Sequence, residues 1–92
     1  MIRSFRHKGL KCLYEKGSAR GLPPQMLSRL RLILADLDAV DDLDSLSLPG
    51  YQLHPLKGEL RRLWSLRVTG NFRVIFRFEE DEAWDVDLVD YH

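Results

Sequence analysis

The sequence predicts an α+β fold: a small antiparallel sheet, made of a C-terminal three-strand meander plus an N-terminal strand, with two helices packed on one face. Three observations predict it. The runs Arg62–Thr69, Phe72–Phe78 and Ala83–Val89 alternate apolar and polar residues with the period of a strand. Short turn sequences join these runs, which is typical of an antiparallel meander. Two earlier stretches have apolar residues at helical spacing instead.

Length and composition predict one globular domain. The 92 residues suit a single domain covering 1–92. Apolar residues make up 45% of the chain and charged residues 30%, as expected of a folded domain that dissolves in water. No apolar run approaches the roughly 20 residues of a membrane span, and the charges of residues 1–8 precede no apolar block, which excludes a secretory signal. We therefore expect a cytoplasmic protein without a membrane partner.

The N-terminal half predicts an edge strand and two helices. Ile2–Phe5 is short and apolar enough to be the strand. Residues 7–16 form a short amphipathic helix, and Gly17 is expected to end it in the left-handed conformation that glycine adopts readily. Pro23-Pro24 fits the first turn of a second helix, which runs to about residue 39. An acidic connector occupies residues 41–50.

The two faces of the meander differ in chemistry. Tyr51–His54 is predicted to be a short strand that stops at Pro55. The even-numbered side is rich in aromatic residues and is expected to receive the helices; it comprises Trp64, Leu66, Val68, Phe72, Val74, Phe76, Phe78, Trp84, Val86 and Leu88. The odd-numbered side is expected to be open; it comprises Leu63, Ser65, Arg67, Arg73, Ile75, Arg77, Asp85, Asp87 and Val89.

A symmetric hairpin turn between the first two meander strands places Arg67 opposite Arg73. Like charges directly opposite each other are unfavourable, and a phosphate between them or a nearby acid offsets the cost. The following hairpin places Arg77 opposite Asp85 and Arg73 near Asp87. Arg77 therefore has a structural explanation, whereas Arg73 is only partly neutralised.

Charge is arranged in alternating blocks, although the formal net charge is zero. Residues 1–34 carry a net charge of +7 and residues 51–77 a net charge of +5. Residues 35–50 carry −5 and residues 78–92 carry −7. Either folding brings the basic blocks together into a positive face that suits a polyanion, or the blocks neutralise one another through surface ion pairs.

Two short segments carry the candidate chemistry. The first is His54-Pro55-Leu56-Lys57-Gly58, in which proline ends a strand and glycine permits a sharp return. It holds a histidine and a lysine at a strand-to-loop edge, a usual position for a functional side chain. The second is Asp90-Tyr91-His92, which follows directly from the last meander strand.

These residue types fit RNA cleavage without a metal. Attack of a ribose 2′-OH on the adjacent phosphate needs a base, an acid for the leaving 5′-oxygen, and cations that stabilise the transition state. Histidine serves as base or acid near neutral pH. Lys57 and Arg73 would bind the phosphate, and Tyr91 would stack on a base. The alternative is structural: a surface or capping histidine and a solvated terminal tail that only packs Tyr91.

Neither a metal site nor a cofactor is expected. His7, Cys12, His54 and His92 show no paired spacing such as CxxC or HxxxH. A single cysteine excludes an internal disulfide framework, and Cys12 is most simply a small apolar residue of the first helix.

Taken together, these segments match a known family. The chain resembles the HigB-like toxins of the RelE superfamily, the plasmid-maintenance or host-growth-inhibition killer proteins of bacterial type II toxin–antitoxin pairs. The resemblance covers nearly the whole chain. It rests on the residues 2–10, Gly21-Leu22-Pro23-Pro24, Leu53-His54-Pro55-Leu56-Lys57-Gly58, Trp64-Ser65, Asn71-Phe72-Arg73-Val74 and Asp90-Tyr91-His92.

The resemblance implies a RelE-like microbial RNase fold and a metal-independent endoribonuclease that cuts mRNA in the A site of the 70S ribosome. It implies a helix-turn-helix antitoxin, HigA-like, as partner, and operator DNA bound only through the antitoxin complex. Carried over by position, the active site would comprise His54, Lys57, Arg73, Asp90, Tyr91 and His92. Asp90 and His92 would share the proton transfers, and His54, Lys57 and Arg73 would position and neutralise the phosphate.

Two departures from the family pattern are local. Phe72 stands where the family usually has tryptophan, an exchange of one aromatic residue for another. Val89 stands where an acid is common, which reduces the negative charge beside Asp90. The rival functional class is a non-catalytic module that binds the ribosome or only its antitoxin and arrests growth without cutting RNA.

Overall fold

Two helices and a four-stranded sheet follow the predicted order along the chain. The computed structural model describes residues 1–58 and 62–90. The elements are α1 (Lys8–Lys16), α2 (Leu27–Ala39), β1 (His54–Pro55), β2 (Leu63–Arg67), β3 (Phe72–Glu79) and β4 (Glu82–Asp90), with 3-10 turns at Pro24–Met26, Leu43–Leu46 and Pro49–Tyr51. The strands form one antiparallel sheet in the order β1-β2-β3-β4, which confirms the predicted α+β class. Neither helix in the described ranges is long and apolar enough to span a bilayer.

Both helices end where the sequence predicts. His7 caps the start of α1, because its Nδ1 accepts a hydrogen bond from the Leu10 amide at 3.1 Å. Gly17 ends α1 with a φ of 69°. α2 ends at Ala39. Its predicted first turn is instead a separate 3-10 turn at Pro24–Met26, since the α-helix starts at the next residue.

The hydrophobic core lies between the helices and the even-numbered side of β2 and β3, as predicted. Leu30, Ile33 and Leu37 of α2 are fully buried. The strands contribute apolar side chains to the same cluster, namely Leu66, Val74, Phe76, Ala83 and Val86, and Val68 joins it from just after β2. The helices therefore cover one face of the sheet, and a ligand can approach only the other face and the rims.

The N-terminal segment covers the outer edge of β4. Ile2 bridges Ala83 and Phe5 bridges Val86, both in parallel orientation. The predicted strand Ile2–Phe5 is therefore present only as two isolated bridges. These contacts shield a strand edge that would otherwise present unpaired backbone groups.

Trp84 lies on the opposite face from the one predicted, so that prediction is wrong. Trp84 is paired with Arg77, which belongs to the odd-numbered side. The register then shifts by one residue, because Asp85 forms a β-bulge with a left-handed φ of 55°. Uninterrupted alternation would have put Trp84 in the core, but Ala83 occupies that position and is fully buried.

Two smaller predictions are also wrong. Tyr51 belongs to a 3-10 turn, and the first strand is His54–Pro55 rather than 51–54. Proline is tolerated there because β1 is an edge strand, on which a missing N–H costs little. The odd-numbered face is not fully open, since Ser65 and Ile75 are buried there. Both lie on the two central strands, where neighbours on each side cover them.

Candidate active site

The His54 corner lies at one edge of the sheet. His54 is half-buried and is the Cα partner of Ser65 in β2. Its Nδ1 lies 3.0 Å from the Gln52 carbonyl oxygen. A carbonyl only accepts hydrogen bonds, so Nδ1 carries the hydrogen and Nε2 is the ring atom left to contact a ligand.

The chain after His54 turns back toward β2 and leaves a surface cavity. The Leu56 amide donates to the Leu63 carbonyl oxygen at 2.9 Å, and the Leu56 side chain is buried. Gly58 has a φ of 72°, which suits the sharp return predicted from the sequence. A cavity of about 270 Å³ is lined by His54, Pro55, Leu56 and Lys57. Lys57 is exposed, so its ammonium group is available at the rim of this cavity.

Arg73 lies on the same face of the sheet as His54. The register pairs Arg73 with Arg67, as the symmetric hairpin predicts, and with Val89 on the other side. One guanidinium nitrogen of Arg73 donates to the hydroxyl oxygen of Ser65 at 3.4 Å. Ser65 is the register partner of His54, so this contact brings the Arg73 guanidinium next to the His54–Ser65 pair.

Sequence analysis did not assign a functional role to Ser65. It is fully buried on a face otherwise rich in charged side chains. The signal was present in the sequence as a small hydroxyl residue on the polar side of an alternating strand. Its position between His54 and Ile75 is fixed only by pairing on both sides.

Asp90 is the last described residue of β4 and is exposed. Its Cα partner is Phe72, whose side chain packs against the core. Strand alternation therefore places Asp90 on the rim of the helix side, not on the open face with His54. Three spacings of about 4.8 Å separate β1 from β4, so the two strands lie about 14 Å apart. Tyr91 and His92, the other predicted residues of this segment, lie outside the described residues.

The far end of the open face is neutralised by acids. The Arg77 Nε lies 3.2 Å from an Asp85 carboxylate oxygen, and the same guanidinium also contacts Glu79. The predicted register, with Arg77 opposite Asp85, is wrong, because Arg77 pairs with Trp84. The neutralisation of Arg77 by Asp85 is nevertheless present, since the bulge brings the two side chains together. Among the described residues, no ion pair involves Lys57 or Arg67, which lie away from this acidic end.

Arg29 of α2 holds the backbone that supports the site. Its guanidinium lies 4.7 Å from the centre of the Tyr51 ring and donates to the carbonyl oxygens of Gly50 and Arg67. Tyr51 is buried and donates its hydroxyl hydrogen to Asp36. Burial and that hydrogen bond raise the pKa of Tyr51, so it stays neutral and acts as a fixed packing surface.

His7 and Cys12, which were considered as metal ligands, have structural positions on the first helix. His7 caps α1, and Cys12 is half-buried on that helix. Within residues 1–58 and 62–90, no group of three or more His, Cys, Asp or Glu side chains is placed to hold a metal ion.

Comparison with known proteins connects this site to a family. A family model described as the RelE-like toxin of the type II toxin–antitoxin system HigB matches residues 3–92. The chain belongs to this HigB family. The resemblance drawn from the sequence motifs is thereby confirmed.

Relatives of this HigB-family toxin extend over its full length. A protein of Proteus vulgaris named Endoribonuclease HigB is 41% identical over 92 residues, which are all of both chains. Among solved structures, the YoeB–YefM complex from Staphylococcus aureus contains a chain with a TM-score of 0.63 and 14% identity, covering 100% of this chain and 98% of that one. The conserved hypothetical protein HP0894 from Helicobacter pylori gives a TM-score of 0.50 and 18% identity, with coverages of 96% and 94%. The two structures show a shared fold.

Proposed function

We propose that this toxin is a ribosome-dependent endoribonuclease that cuts mRNA in the A site without a metal and thereby stops translation and growth. One observation carries the proposal: His54 and Arg73, which are far apart in sequence, lie on one face of the sheet, and Lys57 lines a surface cavity together with His54. The naming of the Proteus vulgaris relative as an endoribonuclease supports the same activity.

The reaction is a transfer within the RNA strand. The 2′-oxygen of one nucleotide attacks the adjacent phosphorus while the bond from phosphorus to the 5′-oxygen breaks. A base takes the 2′ proton, and an acid gives a proton to the leaving 5′-oxygen. The extra negative charge that develops on the phosphate needs cations fixed in advance.

Lys57 and Arg73 would supply the cations that this reaction needs. Arg73 is oriented by Ser65, and Lys57 stands at the cavity rim. A phosphate in the cavity would meet Lys57 and the Nε2 of His54, whose ring is oriented by Gln52, and Arg73 would approach it along the same face of the sheet.

The proton transfers are assigned to the C-terminal residues. Asp90 and His92 would share them, and Tyr91 would stack on a base of the unpaired strand. Asp90 stands at a strand end on the rim. Because Asp90 follows Val89, the register partner of Arg73, the reacting phosphate would have to lie close to Arg73 for both sets of groups to act on it.

The partners follow from the family. We propose that a helix-turn-helix antitoxin of the HigA type neutralises the toxin, that the pair binds operator DNA through the antitoxin, and that the toxin acts in the cytoplasm on the 70S ribosome. The family description and the YoeB–YefM complex support an antitoxin partner.

The test is to map mRNA 5′ ends in cells after induction of the wild type, His54→Ala and His92→Ala. The wild type should produce new 5′ ends, and both variants should produce at least about a hundredfold fewer. New ends appearing equally in the wild type and His92→Ala would remove His92 from the mechanism. Growth arrest by the wild type without any new ends would show a binding module that does not cut RNA.

Ribosome dependence needs a purified system. Purified toxin and an mRNA are incubated with and without 70S ribosomes, and cleavage products are separated by length. Cuts only in the presence of ribosomes support the proposal, and equal cutting of free mRNA contradicts it.

A further inference from the structure

Arg67 and Arg73 face each other across β2 and β3 on the open side of the sheet. Side chains that are directly opposite on antiparallel strands start only about 5 Å apart at Cβ, and two like charges there are unfavourable. Arg73 belongs to the proposed active site. Arg67 has no role in the mechanism so far.

The two guanidinium groups point along the strands in different directions. The Arg73 side chain extends toward the His54–Ser65 pair, where it donates a hydrogen bond to Ser65. Arg67 reaches toward the hairpin turn, where its Nε donates to the Thr69 carbonyl oxygen at 3.4 Å. The pair therefore presents two cationic positions in succession along the face rather than one shared position.

Arg67 differs from the third arginine of this face. Arg77 is held by Glu79 and Asp85. Arg67 is exposed, and none of the described carboxylates lies within ion-pair distance of it. Its backbone is fixed, because Arg29 donates two hydrogen bonds to the Arg67 carbonyl oxygen. An exposed arginine whose backbone is fixed, and which lacks a carboxylate partner among the described residues, is suited to an anion supplied by a ligand.

We propose that Arg67 binds the RNA phosphate next to the one held at the cleavage point by Arg73 and Lys57. The ligand is an unpaired RNA strand, and Arg67 fixes its register on the sheet. This inference rests on the proposed function, since it assigns a second phosphate to the same site. Arg67 contacts a phosphate that does not react, so it contributes to binding of the strand and not to the chemical step.

The test measures cleavage of mRNA on programmed 70S ribosomes, and binding of the toxin to those ribosomes, over a series of salt concentrations. Arg67→Gln should raise KM about tenfold and leave kcat within about twofold, because a contact made equally in ground and transition states affects KM alone. The slope of log affinity against log salt should fall by about 0.7, as expected for one lost phosphate contact on a single strand. Arg67→Lys should keep the slope and lose part of the affinity, because lysine cannot bind phosphate through two hydrogen bonds.

Arg31→Gln is the matched control. It removes the same charge from an exposed arginine of α2 that lines a groove with Tyr14 on the helix side. If Arg67→Gln and Arg31→Gln give the same KM and the same salt slope, Arg67 does not bind a phosphate. A loss confined to kcat would also overturn the inference. If the wild type does not cut RNA, the proposed function fails, and the binding measurement still decides whether Arg67 contacts phosphate.

Discussion

Trp84 stands directly opposite Arg77 on the sheet face turned away from the helices, with the Arg77 guanidinium carbon 5.2 Å from the centre of its ring. The guanidinium carbon of Arg3 lies 5.9 Å from the same ring. Arg3 belongs to the N-terminal segment along β4. The bulge at Asp85 thus creates an aromatic contact that ties the start of the chain to the sheet.

We predict that Asp85 stabilises this bulge because its side chain tolerates the left-handed backbone conformation found there. Its φ of 55° is unfavourable for most side chains, most of all for β-branched ones, whereas asparagine tolerates it. Asp85→Val should lower the free energy of unfolding by about 2 kcal/mol more than Asp85→Asn, measured by urea denaturation. Asp87→Val on the same strand is the control, and it should cost less, because a β-branched residue fits regular strand geometry. Equal losses for Asp85→Val and Asp87→Val would contradict the strain argument.

The hydrogen bond between Tyr14 and Asp38 predicts a bell-shaped pH dependence of stability. The Tyr14 hydroxyl donates to an Asp38 carboxylate oxygen at 2.6 Å. This bond, with some burial and the negative charge of Asp38, raises the pKa of Tyr14 to about 12. The same bond, together with the Ile2 amide, lowers the pKa of Asp38 against the opposing effect of burial.

The sign of each contribution follows from these shifts. The raised pKa of Tyr14 stabilises the fold below pH 10, and that stability is lost as the pH rises toward 12. The lowered pKa of Asp38 stabilises it above about pH 4, and that stability is lost as the pH falls further. Tyr14→Phe should therefore be less stable than the wild type between about pH 5 and 9, by less than about 1 kcal/mol because the pair is exposed. A difference that is constant from pH 3 to pH 12 would rule this out.

Arg29 is predicted to be a structural residue despite its charge. It joins α2 to the Gly50 and Arg67 carbonyl oxygens and covers the Tyr51 ring. Arg29→Met should lower the free energy of unfolding by about 2 kcal/mol, through lost charged hydrogen bonds and the lost cation–π contact. Arg31→Met, two residues along the same helix and exposed, should change it by less than about 0.5 kcal/mol. Equal urea midpoints for the two variants would show that the Arg29 contacts do not stabilise the fold.

Ser65 is predicted to position Arg73. Ser65→Ala removes the hydroxyl oxygen that accepts from the guanidinium and leaves the small side chain otherwise intact. RNA cleavage on programmed ribosomes should fall about fivefold in kcat/KM, as expected for one hydrogen bond of about 1 kcal/mol. The double variant Ser65→Ala with Arg73→Ala should be no worse than Arg73→Ala alone, because the two residues act together. Additive losses in the double variant would show that Ser65 acts independently of Arg73.

Sequence reasoning located the helices closely and the sheet less well. Gly17 ends a helix through local backbone preference, and the Arg67–Arg73 pairing follows from a short symmetric turn. The displaced Trp84 could not be foreseen, because the bulge is stabilised by distant partners such as Ser4, which hydrogen-bonds Asp85 at both its backbone and its side chain.

The candidate site shows the same division. The HPLKG segment and Arg73 were recognisable as phosphate-binding residue types from the sequence, and the structure places His54 and Arg73 on one face. Ser65 was not recognised, because its pairing with His54 and its contact with Arg73 depend on residues distant in the chain. The roles of Asp90, Tyr91 and His92 remain predictions, and the mapping of 5′ ends tests the role of His92.

The sequence by itself determined what depends on neighbours a few residues apart: the periodicity of helices and strands, the stops at glycine and proline, and the family to which the motifs belong. Only the tertiary structure decided which face Trp84 occupies, that Ser65 joins His54 to Arg73, and that Arg67 has no carboxylate partner among the described residues. The physical reason is that strand register and side-chain pairing depend on contacts between residues distant in the chain. A shift of one residue moves a side chain to the other face of the sheet while the composition of the strand stays the same.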